Sequence, residues 1–429
     1  MVQINERLKQ REAAGNPIRV GLVGVGQMGS EIATQIGEMV GMRVSVIVDI
    51  TVEKASQGFD WLRNKPEILC TESRHEAEHA LQNGIGIATT DYTLATSLPG
   101  VDVVVDATGS TEMAARVAID AINHGKHIVM MSVECDITIG PILRKLAENA
   151  GVVYSLAAGD EPAAIIELYR FADALGFEVV AAGKGKNNPL NIYANPDTER
   201  VRAEQRKMNP RMLSEFVDGS KTAIEMTAVS NATGLRPDVR GMHGPKSTVE
   251  TLKQVFIPQK DGGVLNTRGV VDYAIGVHPG VFIVMRTDNE KIMYGMNDRD
   301  MGPGPYYTLY RPYHLCSVEV PITVALAALY GESSGHPLHS PVSECFAVAK
   351  KDIRNGDRLD GIGEYCYRGS IECIEVARQD GLLPLGIASG CVATRDIPKD
   401  TPITYADVSV TVDSVLMDLR RLQDKLHVG

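Results

Sequence analysis

At 429 residues the chain is too long for one ordinary hydrophobic core, so two or three domains are expected. Its 44% hydrophobic and 23% charged content is that of a globular protein, and no apolar run reaches membrane-spanning length. A formal net charge of −11, with no Lys/Arg-rich block, speaks against nucleic acid as a partner.

The segment Asn5–Glu12 reads as a charged helix without the apolar core of a signal peptide. Ile18–Val23 follows as a β-branched apolar run, the mark of a buried strand in a parallel sheet. It runs into Gly24-Val25-Gly26-Gln27-Met28-Gly29, which matches G-x-G-x-x-G, and then into a helical pattern with Ile32, Ile36, Met39 and Val40 on one face. Gly24 suits the tight turn, Gly26 the close approach of a pyrophosphate, and Gly29 the packing of helix on strand. The helix would offer open N–H groups and its positive dipole end to the phosphates. A second strand, Val44–Val48, ends in Asp49, twenty residues after Gly29, where a ribose-binding carboxylate is expected. Asp49 favours NAD(H) over NADP(H), because a 2′-phosphate there would meet a like charge.

A polar, helix-prone insertion, residues 52–82, carries the only tryptophan, Trp61, and is expected to decorate the sheet edge. Strands are read at Ile85–Ala88 and from Val101, the latter ending in Asp106, Ala107, Thr108 and Gly109 at the ligand-binding edge. A helix over Glu112–Asn123, a strand over His127–Met131 and the turn Ser132-Val-Glu-Cys-Asp136 come next. A helix over Gly140–Ala150 and a strand over Val152–Leu156 complete the alternation of a doubly wound parallel sheet. Cofactor contacts are therefore expected from Gly24, Gly26, Gln27, Met28, Gly29, Asp49, Ala107, Thr108, Gly109 and Ser132.

The acids Asp160 and Glu161 stand between strand and helix, with Pro162 in the helix's first turn and Asp160 as a candidate N-cap. A strand over Val179–Ala182 then empties into Gly183-Lys-Gly-Lys-Asn-Asn-Pro-Leu-Asn191, read as a loop. Its ammonium groups and carboxamides, Lys184, Lys186, Asn187 and Asn188, suit a polyhydroxylated, carboxylated or phosphorylated small molecule. A helix over 218–231 has Ser220 as candidate N-cap and places Lys221 and Glu225 on one face. His243, Arg311 and His314 stand at turns and junctions and, with Ser220, are further candidate substrate contacts.

Residues 332–341 read as a linker. Beyond it, Val348-Ala-Lys-Lys-Asp-Ile353 returns as Val392-Ala-Thr-Arg-Asp-Ile397, which suggests a small β-rich module of two related halves. Leu416, Leu419, Leu422 and Leu426 form a stripe at helical spacing, packed on this chain or on another subunit. The seven cysteines are scattered, with no C-x-x-C spacing, so neither a disulfide framework nor a zinc site is expected. A cytoplasmic protein, touching neither membrane nor nucleic acid, is the simplest reading.

With these motifs in view, the first half resembles homoserine dehydrogenase and the tail resembles a SAF domain. The segments Ala182–Leu190, Asp218–Lys221, Gly241–Pro245 and Arg311–His314 make the whole similar to the bacterial 1-deoxy-D-xylulose 5-phosphate reductoisomerase-like family. That resemblance implies an α/β fold with a Rossmann domain (1–160), an α+β substrate domain (161–331) and a small SAF-like domain with a terminal helix (342–429). It implies an NAD(P)H-dependent reductase or reductoisomerase of a small polar carbonyl compound, with homoserine dehydrogenase as the alternative. A third possibility, from another class, is a nucleotide-sensing, sugar-binding regulator, which the dense Lys/Asn/Arg/His segments count against. Homoserine dehydrogenases use a lysine to assist hydride transfer, and Lys184, Lys186 and Lys221 are the candidates. Carbon rearrangement would add a divalent cation, for which Glu134, Asp160, Glu161 and Glu225 are the available acids. A homo-oligomer, dimer or tetramer, is expected.

Overall fold

The computed structural model describes residues 3–410 and 414–427 and divides the chain into two compact units. The first comprises residues 1–163, 315–339 and 418–429; the second comprises 164–314 and 340–417. Among the described residues no helix is long and apolar enough to cross a membrane.

The first unit is built on a seven-stranded, wholly parallel sheet in the order β3-β4-β2-β1-β5-β6-β7. Its strands are β1 (Ile18–Val23), β2 (Met42–Val48), β3 (Ile68–Cys70), β4 (Gly86–Thr89), β5 (Val103–Asp106), β6 (His127–Met130) and β7 (Tyr154–Leu156). The chain winds one way from β1 to β4 and the other way from β5 to β7, so the order reverses beside β1. That reversal leaves a crevice at the carboxyl ends of β1 and β5. Val20, Leu22, Val103, Val105 and Val129 are fully buried in the sheet, as strands covered on both faces require.

Three local expectations need correction here. The helix after β1 runs Gln27–Glu38, so Met39 and Val40 lie beyond it, and Val40 is exposed; its buried face is Gly29, Ile32, Ala33 and Ile36. The insertion does more than decorate the edge, because Ile68–Cys70 enters the sheet as strand β3. The helix expected from Gly140 begins at Val133, and Pro141 sits inside it.

Proline at position 141 removes a donor from that helix. The side chain of Gln423, on the terminal helix Val415–His427, bridges the next rung, between Ile142 and Thr138. Its Oε1 accepts from Ile142 N at 3.2 Å and its Nε2 donates to Thr138 O at 3.2 Å. In the leucine stripe, Leu416 and Leu419 are buried while Leu422 and Leu426 are exposed.

The second unit holds a five-stranded mixed sheet in the order β12-β11-β8-β10-β9. These strands are β8 (Glu178–Lys186), β9 (Arg236–Pro237), β10 (Val270–Ile275), β11 (Val281–Arg286) and β12 (Tyr306–Arg311). One face packs with Met226 and Val229 of the helix Ser220–Thr233, and the other packs with Leu252 and Phe256. β8 is central, parallel to β10 and antiparallel to β11. An antiparallel pair, β13 (Ser343–Ala349) with β14 (Tyr367–Cys373), and a short pair, β15 (Val392–Ala393) with β16 (Val408–Ser409), follow. The repeated segments meet each other: Ile353 N donates to Ile397 O at 2.9 Å, and Ile397 N to Ile353 O at 2.8 Å.

The Gly183–Lys186 stretch is not a loop but the end of β8. A Cβ on Gly185 would lie 1.1 Å from Val277 O, and one on Gly183 would lie 2.2 Å from Asp272 O. The two glycines therefore serve close backbone approach within the sheet rather than flexibility.

Candidate active site

In the first unit the glycine loop closes on the end of the sheet. Gly24 has φ +94°, and a Cβ there would come within 2.6 Å of Ala107 O. Gly29 admits no Cβ either, since one would stand 2.0 Å from Gly24 O. Gly26 is different: nothing lies within 4 Å of its missing Cβ, so the loop is open on that side. It is also the N-cap of the helix Gln27–Glu38 and provides no side-chain cap. Gln27 and Met28 form that helix's first turn, where free N–H groups and the dipole favour an anion. Asp49 follows β2, its Oδ2 accepting from Val25 N at 2.8 Å and its Oδ1 from Ile50 N at 2.8 Å. These two bonds fix the carboxylate beside the glycine loop.

Across the crevice, β5 ends in Asp106, followed by Ala107, Thr108 and Gly109. Asp106 Oδ1 accepts from Thr108 Oγ1 at 2.8 Å, while Oδ2 and the nearby Ser132 Oγ are buried without a hydrogen-bonding partner. Burial pushes the Asp106 carboxyl above its ordinary value, against the nearby Ser132 hydroxyl and the bonds from Thr108. Partnerless buried polar atoms at the carboxyl edge of a parallel sheet, facing an open glycine loop, fit a dinucleotide. Asp106 was not among the residues expected to bind the cofactor; its position as the last residue of an apolar strand was the signal.

In the second unit, strand periodicity places Lys184 and Lys186 on the face of β8 opposite the two glycines. Both are buried. Lys184 Nζ donates to Glu225 Oε2 of the helix Ser220–Thr233, so Glu225 faces Lys184. Lys186 Nζ donates to Phe216 O at 2.8 Å. Burial, reinforced by the neighbouring Lys184 charge, lowers the Lys186 pKa to about 8. Lys221 is half-buried in the first turn of the same helix.

The helix is capped by Gly219 at φ 91°, not by Ser220, which is its first residue. Ser220 Oγ accepts instead from Gly369 N at 2.7 Å. Asn188 Oδ1 accepts from Arg202 Nη2 at 2.8 Å and Arg206 Nη1 at 3.0 Å, and Asn188 Nδ2 donates to Asn187 Oδ1. Asn187 is exposed. His243 Nε2 lies 2.7 Å from Asp238 Oδ2, and its backbone N donates to the buried Asp272. Arg311 pairs with Glu167 at 3.3 Å and stacks 4.6 Å from the Tyr313 ring centroid; His314 follows, half-buried. Of the acids, Glu134 lies in the first turn of Val133–Ala150. Asp160 and Glu161 stand where the helix Glu161–Ala174 begins, and Glu225 is buried in mid-helix.

The fold and the glycine loop define a dinucleotide-binding α/β protein. Comparison with known proteins supplies the chemistry. Residues 24–156 match the NAD-binding domain of homoserine dehydrogenase, and residues 159–320 match the catalytic domain of the oxidoreductase DRL. No curated protein matches the chain. A probable dehydrogenase from Thermotoga maritima is 14% identical over 74% of this chain and 90% of its own, with a TM-score of 0.41. Apo scyllo-inositol dehydrogenase from Lactobacillus casei is 11% identical over 74% and 89%, with a TM-score of 0.41. A 3-ketoreductase from Actinomadura kijaniata, solved with TDP-benzene and NADP, is 14% identical over 75% and 91%, with a TM-score of 0.37. The chain is an NAD(P)-dependent oxidoreductase.

Proposed function

We propose that the chain is an NADH-preferring reductase or reductoisomerase of a small phosphorylated carbonyl compound, similar to the 1-deoxy-D-xylulose 5-phosphate reductoisomerase-like enzymes. The observation that carries this reading is the pair of buried lysines on one face of β8, within the stretch that matches an oxidoreductase catalytic domain. The bound nicotinamide supplies the hydride. Carbonyl reduction leaves negative charge on oxygen, which must be protonated or held. Lys186, with its pKa near 8, is mostly protonated at neutral pH and so offers a positive charge to an anionic group of the substrate. Lys184, whose charge Glu225 offsets, and Lys221 are the candidates to assist at that oxygen.

Asp49 supports the cofactor preference. Its carboxylate accepts readily from a ribose diol and repels a 2′-phosphate, and Ile50, Thr51 and Val52 bring no cation. Carbon rearrangement would add a hard divalent cation, which suits the all-oxygen donors Glu134, Asp160, Glu161 and Glu225. The segment from Ser343 would be a SAF-like module serving assembly or substrate entry. The exposed Leu422 and Leu426 support a homo-oligomer, and the seven free cysteines support a reducing cytoplasm.

The test is turnover of deoxyxylulose phosphate and aspartate semialdehyde with NADH and NADPH. At least one of Lys184→Ala, Lys186→Ala and Lys221→Ala should lower kcat by at least ~100-fold with cofactor binding intact. Near-normal turnover in all three would refute the lysine site. Reduction of aspartate semialdehyde alone would make the protein a homoserine dehydrogenase.

A further inference from the structure

The second unit contains a cavity of about 320 Å³, a volume suited to a small metabolite. Its apolar wall includes the buried Phe346 and Val348 of β13. Three cations face it: Lys186 from β8, Arg240 and Arg368 from β14. They differ in what holds them. Arg240 is bound by two carboxylates, Glu372 Oε2 at 2.7 Å and Asp380 Oδ2 at 2.5 Å. Lys186 and Arg368 have no carboxylate within ion-pair distance among the described residues. Lys186 reaches only the carbonyl of Phe216, and Arg368 only that of its neighbour Gly369, at 3.4 Å. The Nε of Arg368 is buried and donates to nothing.

The wall's two acids do not cancel these charges. Asp218 is taken by Lys350, whose Nζ donates to its Oδ2 at 3.0 Å, and by Ser220 N, which donates to Oδ1 at 2.8 Å. Asp400 is exposed and accepts from Tyr193 OH at 3.0 Å. Counting paired groups as neutral, the wall keeps two cations against one exposed acid. The start of the helix Ser220–Thr233, whose first N–H goes to Asp218, borders the same space through Gly219, Thr222 and Ala223. Ser370, Thr222 and Tyr273 bring hydroxyls to the wall.

A half-buried guanidinium with an unsatisfied buried donor is costly unless something else completes it. Burial lowers the Arg368 pKa, a further sign that the protein alone undercompensates the charge. We propose that this cavity is an oxyanion site, in which Lys186 and Arg368 hold the phosphate of a small phosphate monoester. Arginine presents a planar fork to phosphate and lysine a point charge, the usual division of work at such sites. The proposal deepens the reading of the substrate as phosphorylated and rests on it for the identity of the ester. The binding of phosphate itself does not depend on that reading.

The experiment is a titration of the full chain with inorganic phosphate, read by calorimetry without cofactor or substrate, in wild type, Arg368→Met and Lys186→Met. Saturable binding weakened at least ~10-fold by either substitution is expected, in line with loss of one charge-assisted contact. Because Arg368→Met removes a charge lacking an ion-pair partner, the variant should unfold at the same denaturant concentration or higher. This separates lost binding from lost folding. No binding by the wild type, or equal binding by a folded Arg368→Met, overturns the proposal.

A second arm uses any substrate the protein reduces. Phosphate should compete with it, and Arg368→Met should raise KM far more than it lowers kcat. Phosphate that inhibits without competing would make the site an effector site and overturn its assignment to the substrate. A chain that binds phosphate through these residues but reduces no carbonyl would sink the proposed activity and leave the oxyanion site standing.

Discussion

Asp136 offers a stability test whose size follows from its surroundings. It lies wholly buried in the first turn of the helix Val133–Ala150, where its Oδ1 accepts from Tyr154 OH at 2.8 Å and its Oδ2 has no partner. Gly140 makes room for it, since a Cβ there would stand 2.6 Å from Oδ1. Burial outweighs the Tyr154 bond and raises the carboxyl from 3.8 to about 7. The folded state therefore holds a proton that the unfolded state releases near pH 4. Its stabilising contribution is fully present below the unfolded value and is lost as pH rises towards 7. At about 1.4 kcal/mol per pH unit the whole effect reaches about 4 kcal/mol. Asp136→Asn keeps the neutral shape and removes the titration. Urea unfolding followed by circular dichroism, from pH 5 to pH 8, should show the variant gaining on wild type as pH rises, by about 2–4 kcal/mol at the upper end. Parallel curves for the two proteins would refute a buried, protonated Asp136.

Three further outcomes are expected. Gln423→Leu leaves Ile142 N–H buried without its acceptor and should cost about 1–3 kcal/mol in chemical unfolding; a change below about 0.5 kcal/mol would mean the helix heals itself at Pro141. Gly185→Ala should cost about 3 kcal/mol or more, or prevent soluble expression, because its Cβ would fall 1.1 Å from Val277 O; a stable variant would show that β8 does not run through Lys186. Asp49→Ser should narrow the ratio of kcat/KM for NADH over NADPH by ~10-fold or more, and a wild type that strongly prefers NADPH would refute the role given to Asp49.

The first unit was largely legible in the sequence because its signals are local. β1, the glycine loop and the following helix lie within twenty-one consecutive residues, 18–38, and Gly24 and Gly29 each have a steric reason while Gly26 leaves the loop open. The second unit was harder, because its decisive contacts join distant segments. Gly183-Lys-Gly-Lys186 has the composition of a loop, and only the carbonyls of Asp272 and Val277 explain glycine in a central strand. Ser220 has the chemistry of an N-cap, but Gly369 N claims its oxygen and Gly219 takes the cap position. Arg368 carried no signal at all. It sits in an ordinary strand, and its relation to Lys186 exists only in the folded unit.

The buried and half-buried charges of this chain sort themselves by who completes them. Arg19 and Asp102 are joined through three hydrogen bonds of 2.7–3.1 Å. Lys350 is closed off by Asp218 and the carbonyls of Ala194 and Glu364, and Lys184 meets Glu225. Each such pair recovers much of its desolvation cost within the protein, so each is explained by folding alone. Lys186 and Arg368 are not completed in this way, and neither are Asp106 Oδ2 and Ser132 Oγ. If incomplete burial were a packing accident, it would be scattered. Single partnerless atoms are indeed scattered, as at Asp136, Asn231 and Arg286, but two places gather several incomplete groups: the carboxyl edge of the parallel sheet and one cavity of the second unit. The first is where a doubly wound sheet takes its nucleotide. The second combines two cations, a helix start and hydroxyls around an apolar floor, which is the chemistry of an anionic metabolite rather than of a structural core.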